Sequence, residues 1–401
     1  MLKLRRASHK MIPEIFELQS EAFGFPVQHF EELLERDPWF EPSNILALFS
    51  HNILVSCLQI FPKPVRIGST SARMGGVGNV ATHPKYEGKG YATWLLREAI
   101  RLMRAEGYGF SVLFTKIPDF YRRLKWEIAA PRYKYVISAS KLDSGGSSNF
   151  QVGTLQEDDL AAVMQMYEAV NERRSLSVLR PRECWRRQLD HRLDETERSI
   201  VIKNGKHVLA YGRYTMTERR IWVIEAGYSP GPNPRKALRE LLSFIGNDAL
   251  REGRSHISIY MPPDHLLVRE VLERGGRDET RDSSGLMIRI ISLRNLLEEI
   301  LPKLNNHILD LSSIRRVRIQ TEEETASLLV RDGEIKIVEQ KKGDEVYRVR
   351  HRVLAQHLTG YLTPLEALKK GLARAKPSVA KFIDTLFKPE KPPYFWIYDR
   401  F

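Results

Sequence analysis

Residues 82–96 read THPKYEGKGYATWLL, and the fold turns on what the glycines on either side of Lys89 are for. Glycine lets the backbone approach a ligand closely, and the first N–H groups of a helix have no partner within it. Gly88 and Gly90, just ahead of the apolar run from Tyr91, can therefore cradle a phosphate. The same letters also write an ordinary tight turn, and the neighbouring elements must choose between the two.

Working outward, "LKLRRAS" (2–8) has the character of a short strand, and "HKMIPEIFELQSEAFG" (9–24) and "VQHFEELLERDP" (27–38) have helical periodicity. "NILALFS" and "ILVSCLQIFPKPVRI" form a strand pair around Asn52. "GGVGNVATHP" (75–84) is a strand whose glycines suggest a bulge. The helix "ATWLLREAIRLMRAEG" and the buried strand "FSVLFT" (110–115) follow, then "PDFYRRLKW" (118–126) and a closing strand in "RYKYVISAS" (132–140). This order, β-α-α-β-β-β-α-β-α-β, resembles the GCN5-related N-acetyltransferase (GNAT) fold, and "SASKLDSGGSSNFQ" (138–151) reads as a linker.

The order then repeats. Residues 154–174 and 184–193 are helical, "SIVIKNGKHVLAYGRYTM" is a hairpin turning at Asn204-Gly205, and a strand, a helix (234–253) and the strand "SHISIYMPP" follow. Pro-Asp ends both copies of that strand, at Pro118-Asp119 and Pro263-Asp264, so a duplicated domain is the simplest account. The second copy lacks the chemical parts: "PGPNPRKA" replaces "EGKGYA", removing N–H donors, and His265-Leu266 replaces Phe120-Tyr121. From about residue 292 a helix, a strand pair turning at Asp332-Gly333 and a helical stretch broken at Gly360 and Pro364 resemble a sterol-carrier-like α/β domain. Five aromatics among the last eight residues suggest a buried chain end.

The chain has 401 residues, 42% of them hydrophobic, enough for several cores. No long apolar run or signal-peptide pattern is present, so a soluble, cytoplasmic protein with no membrane span is expected. Cys57 and Cys184, far apart in sequence, argue for reduced thiols and against a zinc site, and no metal is expected. The formal charge of +13 is spread among acidic residues and comes without a nucleic-acid-binding signature, so no nucleic-acid partner is expected.

With three segments in this order, the chain resembles the enhanced intracellular survival (Eis) family of acetyltransferases. The resemblance is carried by "GGVGNVATHPKYEGKGYATWLL", by "PDFYRRLKW" and by the C-terminal aromatic Phe401. It implies tandem GNAT folds, residues 1–143 catalytic and 150–291 degenerate, followed by a sterol-carrier-like domain over 292–401. It also implies acetyl-coenzyme A as co-substrate and a homo-oligomer, a hexamer in that family. Gly88, Lys89, Gly90, Tyr91, Ala92 and Thr93 would line the diphosphate, with Glu87, where the family pattern has Gln or Arg, pointing away. Val80, Ala81 and Thr82 would bind the pantetheine arm as an added strand, and Lys116 and Ile117 would touch the same cofactor.

By the same resemblance Tyr121 is the general acid, although Lys125 and Trp126 stand where the family has Gly-Phe. A phenol with a pKa near 10 keeps its proton at neutral pH, which suits a group that must protonate a departing thiolate. The Phe401 carboxylate would serve on the base side, through water or as an electrostatic guide, since its pKa in water is about 3.5. Phe25, Phe30, Trp39 and Phe40, with Glu31, Glu32, Glu35 and Asp37, lie in the helical region over the acceptor site of this fold. Phe25, Trp39 and Asp399 are the substrate-binding candidates. The implied function is transfer of acetyl to an amine of a small cationic acceptor, aminoglycoside-like or polyamine, by direct attack, because no cysteine sits in the catalytic blocks. The alternatives are acetylation of a protein or peptide lysine, and a non-catalytic protein that binds a hydrophobic ligand in its C-terminal domain.

Overall fold

The computed structural model of the chain describes residues 2–142, 150–187, 189, 196–218, 220–231, 233–308 and 315–401. Most of the linker expected between 138 and 151, and part of the helix expected over 184–193, lie outside them. The chain forms two compact units: Met1–Ala130 with Gly285–Glu390 and Phe401, and Pro131–Ser284 with Lys391–Arg400.

The first unit begins with β1 (Leu2–Arg6), α1 (Ile12–Phe23), α2 (Val27–Arg36), β2 (Ile45–Ser50), β3 (Ile53–Ile67) and β4 (Thr70–Thr82). Then come α3 (Tyr91–Ala105), β5 (Phe110–Phe114), α4 (Pro118–Arg122) and β6 (Glu127–Ile128). Charged β1 forms one edge of a seven-stranded sheet, where Lys3, Arg5 and Arg6 discourage pairing with another chain. The β2–β3 turn is His51-Asn52, both at positive φ (49° and 67°), the backbone that matches the twist of a hairpin. α3 lays Leu95, Leu96, Ala99 and Met103 on the sheet.

β5 runs parallel to β4, and its other side pairs antiparallel with Leu286–Ile290, which in turn pairs with β6. The closing strand expected in 132–140 is therefore not in this sheet. Tyr135–Ser138 instead pairs with His256–Ile259 in the second unit's sheet. Both segments are short apolar strands that fit an antiparallel slot, and the period-2 pattern carries no information about which sheet takes which.

A five-stranded sheet, ordered 334–338, 325–331, 315–320, 345–349, 373–374, completes the first unit. Its Asp332-Gly333 turn has φ of 53° and 75°, and Gly360, at φ 72°, ends the helix His351–Thr359, both as expected from sequence. This sheet's helices grip the first sheet: the Arg73 amide donates to Glu299 at 3.0 Å, Gln356 Nε2 to the Ile128 carbonyl at 2.8 Å, and Thr359 Oγ1 to the Ala129 carbonyl at 2.7 Å.

The second unit is a seven-stranded sheet ordered 277–278, 135–138, 256–259, 221–228, 207–216, 197–204, 151–154, packed by helices Leu160–Asn171, Pro234–Arg251 and Leu266–Glu273. Its parallel pair is short, Ile221–Val223 on Ile257–Ile259. The C-terminal segment packs into this unit: Tyr394, Phe395 and Trp396 are buried, and Trp396 Nε1 donates to Asn171 at 2.9 Å. Beyond the parallel pairing, Glu225 takes both Nη atoms of Arg180 at 3.0 and 2.6 Å, and Arg180 also donates to Asp399 at 2.7 and 2.9 Å. His265 is a buried cap. Its Nδ1 accepts the Leu267 amide at 3.1 Å, and burial, helped by Arg174, pushes its pKa down to about 4, so it is neutral.

Burial alone would raise the Glu225 pKa, but the Arg180 charge and hydrogen bonds hold it below its ordinary 4.5. A carboxylate with a lowered folded pKa gives stability that is complete above the unfolded value and is lost as pH falls through the folded one. Glu225→Ala is therefore expected to cost about 3–5 kcal/mol at neutral pH, because Arg180 is left buried with half its counter-charge. Urea unfolding followed by circular dichroism should show this loss, and the gap to the parent should narrow in acid. An unchanged midpoint at pH 7 would rule out this role for the pair.

Candidate active site

β4 and β5 touch over only three residue pairs, Met74–Phe110, Gly75–Ser111 and Gly76–Val112, and then separate. β4 continues to Thr82 against β3, so its other edge is left open from Val77 onward. The His83 amide donates to the Val55 carbonyl at 3.0 Å and Ser56 Oγ donates to the Ala81 carbonyl at 2.7 Å, so Ala81 and His83 face β3. Strand alternation then turns the N–H and C=O groups of Val80 and Thr82 to the open side.

The bulge in β4 sits at Asn79, which takes φ 51° where the register shifts opposite Cys57 and Gln59. The glycines that suggested it do something else. A Cβ at Gly76 would overlap the Phe401 ring, 2.7 Å from Cε1 and Cε2, and one at Gly78 would lie 2.9 Å from Phe61 Cε2 and 3.2 Å from Phe401 Cδ2. The glycines clear the space that the terminal ring occupies. Phe401 stacks on Phe61 with centroids 4.7 Å apart and meets Phe114 edge-on at 5.6 Å.

At the open end of β4 the chain turns into α3 through Gly88 (φ 74°) and Gly90 (φ 79°), both left-handed, with no atom within 4 Å of a notional Cβ at either. Trp94 makes the helix's first bond, to the Gly90 carbonyl at 3.0 Å. The amides of Tyr91, Ala92 and Thr93 therefore precede the helical ladder, the arrangement that receives an anion. Glu87 is exposed, and Lys89 lies over the Tyr86 ring, 4.8 Å from its centre. On the partner side of the slot, Lys116 and Ile117 are exposed, Ile117 at 63%.

Tyr121 is half-buried on α4, edge-on to Phe120 at 5.0 Å and to Trp126 at 6.3 Å. Burial raises its pKa, which keeps the phenol protonated. The two departures from the family pattern have physical compensation. Lys125 holds the left-handed backbone (φ 65°) that a glycine would take without strain, and its ammonium pairs with Glu323 at 2.9 Å and Glu322 at 3.4 Å. Trp126 fills the buried aromatic position.

Trp39 reaches the terminal ring by way of Lys63, a residue that sequence patterning did not single out. Lys63 is 7% exposed, and its ammonium lies 5.6 Å from both the Trp39 and Phe401 ring centres. Asp37 follows the end of α2 and is buried. Its Oδ1 accepts the Trp39 amide at 3.1 Å, and its Oδ2 is enclosed with no hydrogen-bond partner among the described residues. Phe25 instead sits 52% exposed at the start of α2, against His29 at 4.8 Å. The Glu35 side chain lies outside the described residues. Asp399 is not a pocket acid: it is 5% exposed, and Arg180 occupies its carboxylate inside the second unit. An acid beside the chain end looks like a site residue in sequence, but a buried arginine elsewhere in the chain claims it.

Residues 3–129 match the family described as Acetyltransferase (GNAT) domain. The first part of this chain is a GNAT acetyltransferase domain. The chain thereby contains an N-acetyltransferase domain of the GNAT type, and acetyl-coenzyme A is the co-substrate that the domain implies. No curated protein matches. Among solved structures the fold is similar over the whole chain to a GCN5-related N-acetyltransferase from Anabaena variabilis, with TM-score 0.78, 17% identity and 100% of both chains covered. A GCN5-related N-acetyltransferase from Kribbella flavida gives TM-score 0.75 and 19% identity, over 100% of this chain and 98% of that one. Eis1 from Mycobacterium abscessus gives TM-score 0.69 and 18% identity, with 100% of both chains covered. At these identities the likeness is one of fold. No helix among the described residues is long and apolar enough to cross a membrane.

The close fit between Gly76 and the terminal ring makes a test. Gly76→Ala overpacks the slot, a change that costs about 1–3 kcal/mol, and the ring should be driven out. Carboxypeptidase A should then release Phe401 at least about tenfold faster than from the parent, equivalent to about 1.4 kcal/mol of lost closure. Equal release rates would show that the ring does not depend on that glycine.

Proposed function

We propose that the chain acetylates an amine of a small cationic acceptor, aminoglycoside-like or a polyamine, in a ternary complex. The observation that carries this reading is the terminal Phe401, seated in the opening between β4 and β5 of the acetyltransferase domain. In this reading the α-carboxylate would lie beside the slot that receives the thioester.

Acetyl-coenzyme A would supply the acyl group. The residues present fit it: the left-handed Gly88 and Gly90 leave room for phosphate oxygens, and the amides of Tyr91, Ala92 and Thr93 can donate to them. Lys89 would add charge, and Val80 and Thr82 would pair with the pantetheine amides while Ala81 holds β4 to β3. Ile117 and Lys116, exposed on the facing side, would be covered. Tyr121 would give its proton to the departing thiolate. The Phe401 carboxylate would guide the acceptor amine and receive its proton through water. Asp37, with one enclosed oxygen unpartnered beside Trp39, favours a cationic acceptor, because an ammonium would satisfy that oxygen. Trp39 would supply a flat wall.

We extend the same reading to the division of labour: catalysis in the segment 1–143, a structural second copy over 150–291 and a sterol-carrier-like domain over 292–401, in a hexameric assembly that sedimentation velocity would read directly.

Thiol release from acetyl-coenzyme A with aminoglycosides, polyamines and lysine peptides as acceptors tests the reading. Turnover should appear with the small polyamines or aminoglycosides, and turnover confined to the peptide would replace the proposed acceptor class. Tyr121→Phe should retain coenzyme A affinity while turnover falls by about 10²–10⁴; a variant as fast as the parent would remove Tyr121 from catalysis. Extending the chain by a few residues past Phe401 should abolish most activity without lowering the melting temperature by more than a few degrees. Full activity in the extended protein would refute the carboxylate's role.

A further inference from the structure

The sheet at the C-terminal end of the first unit places two arginines directly opposite each other. Arg348 pairs in register with Arg374 on one side and with Gln320 on the other. Val349 and Tyr347 point to the core, so Arg348 and its neighbour two residues on, Arg350, belong to the outer side. Like charges on directly paired strands repel and cost stability. Nothing in the fold offsets this: among the described residues no carboxylate pairs with Arg348, Arg350 or Arg374, and Arg348 has one neutral contact, to Gln320 Oε1 at 3.2 Å.

Four other arginines of the same region are paired. Arg294 meets Glu298 at 2.8 Å, Arg315 meets Glu345 at 2.7 Å, Arg316 meets Asp344 at 2.9 Å and Arg331 meets Asp332 at 3.2 Å. Arg318, on the neighbouring strand, also meets no carboxylate among the described residues but does not line the cleft; Arg348, Arg350 and Arg374 converge on one cleft of about 380 Å³, walled on its apolar side by Leu372. The acid on the cleft, Glu322, is already engaged, by the Lys125 ammonium at 3.4 Å and by the His351 amide at 2.8 Å.

We propose that this cleft binds a phosphorylated small molecule. Guanidinium forks match phosphate oxygens in pairs, and a dianion between Arg348 and Arg374 turns their repulsion into two charge-assisted contacts. The volume suits a ligand of sugar-phosphate or nucleotide size and is too small for a folded partner. The site lies on the C-terminal sheet and is formed by none of the residues assigned to coenzyme A or to the acceptor.

The test is titration calorimetry of the full chain with inorganic pyrophosphate, coenzyme A being kept saturating so that the diphosphate cradle at α3 is filled. The parent should bind one pyrophosphate, and the double variant Arg348→Gln, Arg374→Gln should bind at least about tenfold more weakly. Without pyrophosphate the double variant should melt at the same temperature as the parent or higher, since the repulsion is gone. Arg350→Gln, outside the paired strands, should also weaken binding several-fold, whereas Arg331→Gln should not. Absence of saturable binding to the parent, or equal binding by the double variant and Arg350→Gln, overturns the proposal. So does clear preference for a phosphoserine peptide over pyrophosphate, which would make the cleft a protein-docking site.

Discussion

The departure of β4 from β5 after Gly76 is the constraint on which the rest of the first unit depends. Two parallel strands that stayed paired would bury their backbone groups against each other and leave nothing for a ligand. Three pairings and then a split leave a row of strand donors and acceptors facing an opening. Such an edge is costly if it is dry and unpaired. Here the near end of the opening is filled by the Phe401 ring, stacked on Phe61 and set against Phe114, while the far end leads to the start of α3. Glycine at 76 and 78 is the steric condition for that arrangement, because a single methyl at either position meets an aromatic ring.

The second copy of the fold has taken the opposite course. Its parallel strand pair is equally short, but Glu225 beyond the pairing is committed to a buried arginine that also holds Asp399. Its helix begins at Pro234 after Asn233, and the pair in place of Phe120-Tyr121 is a neutral histidine cap followed by Leu266. The carboxylates of Glu225 and Asp399 are both taken by Arg180 within the unit. Buried ion pairs add little net stability when whole but cost much when broken, so this arrangement fixes the path of the C-terminal segment more than it strengthens the fold.

Much of this was legible in the sequence. The order of elements, the turns at Asn52 and Asp332-Gly333, the helix stop at Gly360 and the start of α3 all follow from local chemistry, since positive φ, capping and periodicity act over a few residues. Other features were hidden. Asn79 carries the bulge in β4, and asparagine tolerates the left-handed region without announcing it. Lys125 occupies a glycine-like conformation that its ion pairs support. Lys63 reads as one more strand cation until the fold surrounds it with Trp39, Phe61 and Phe401. Asp37 reads as a solvated helix end until its second oxygen is enclosed.

By itself, the sequence determined the acetyltransferase order of elements, the duplication, the glycine turn into α3 and the aromatic chain end, because each is written in residues near one another or in a repeated order. Only the tertiary structure decided which strand closes each sheet, that Asp399 belongs to Arg180 and not to a ligand, and that Arg348 and Arg374 face each other. Strand exchange and ion pairing join residues over a hundred positions apart, and in-register charge depends on strand pairing. No local propensity encodes a choice between two equally apolar strands or between two distant carboxylates for the same arginine.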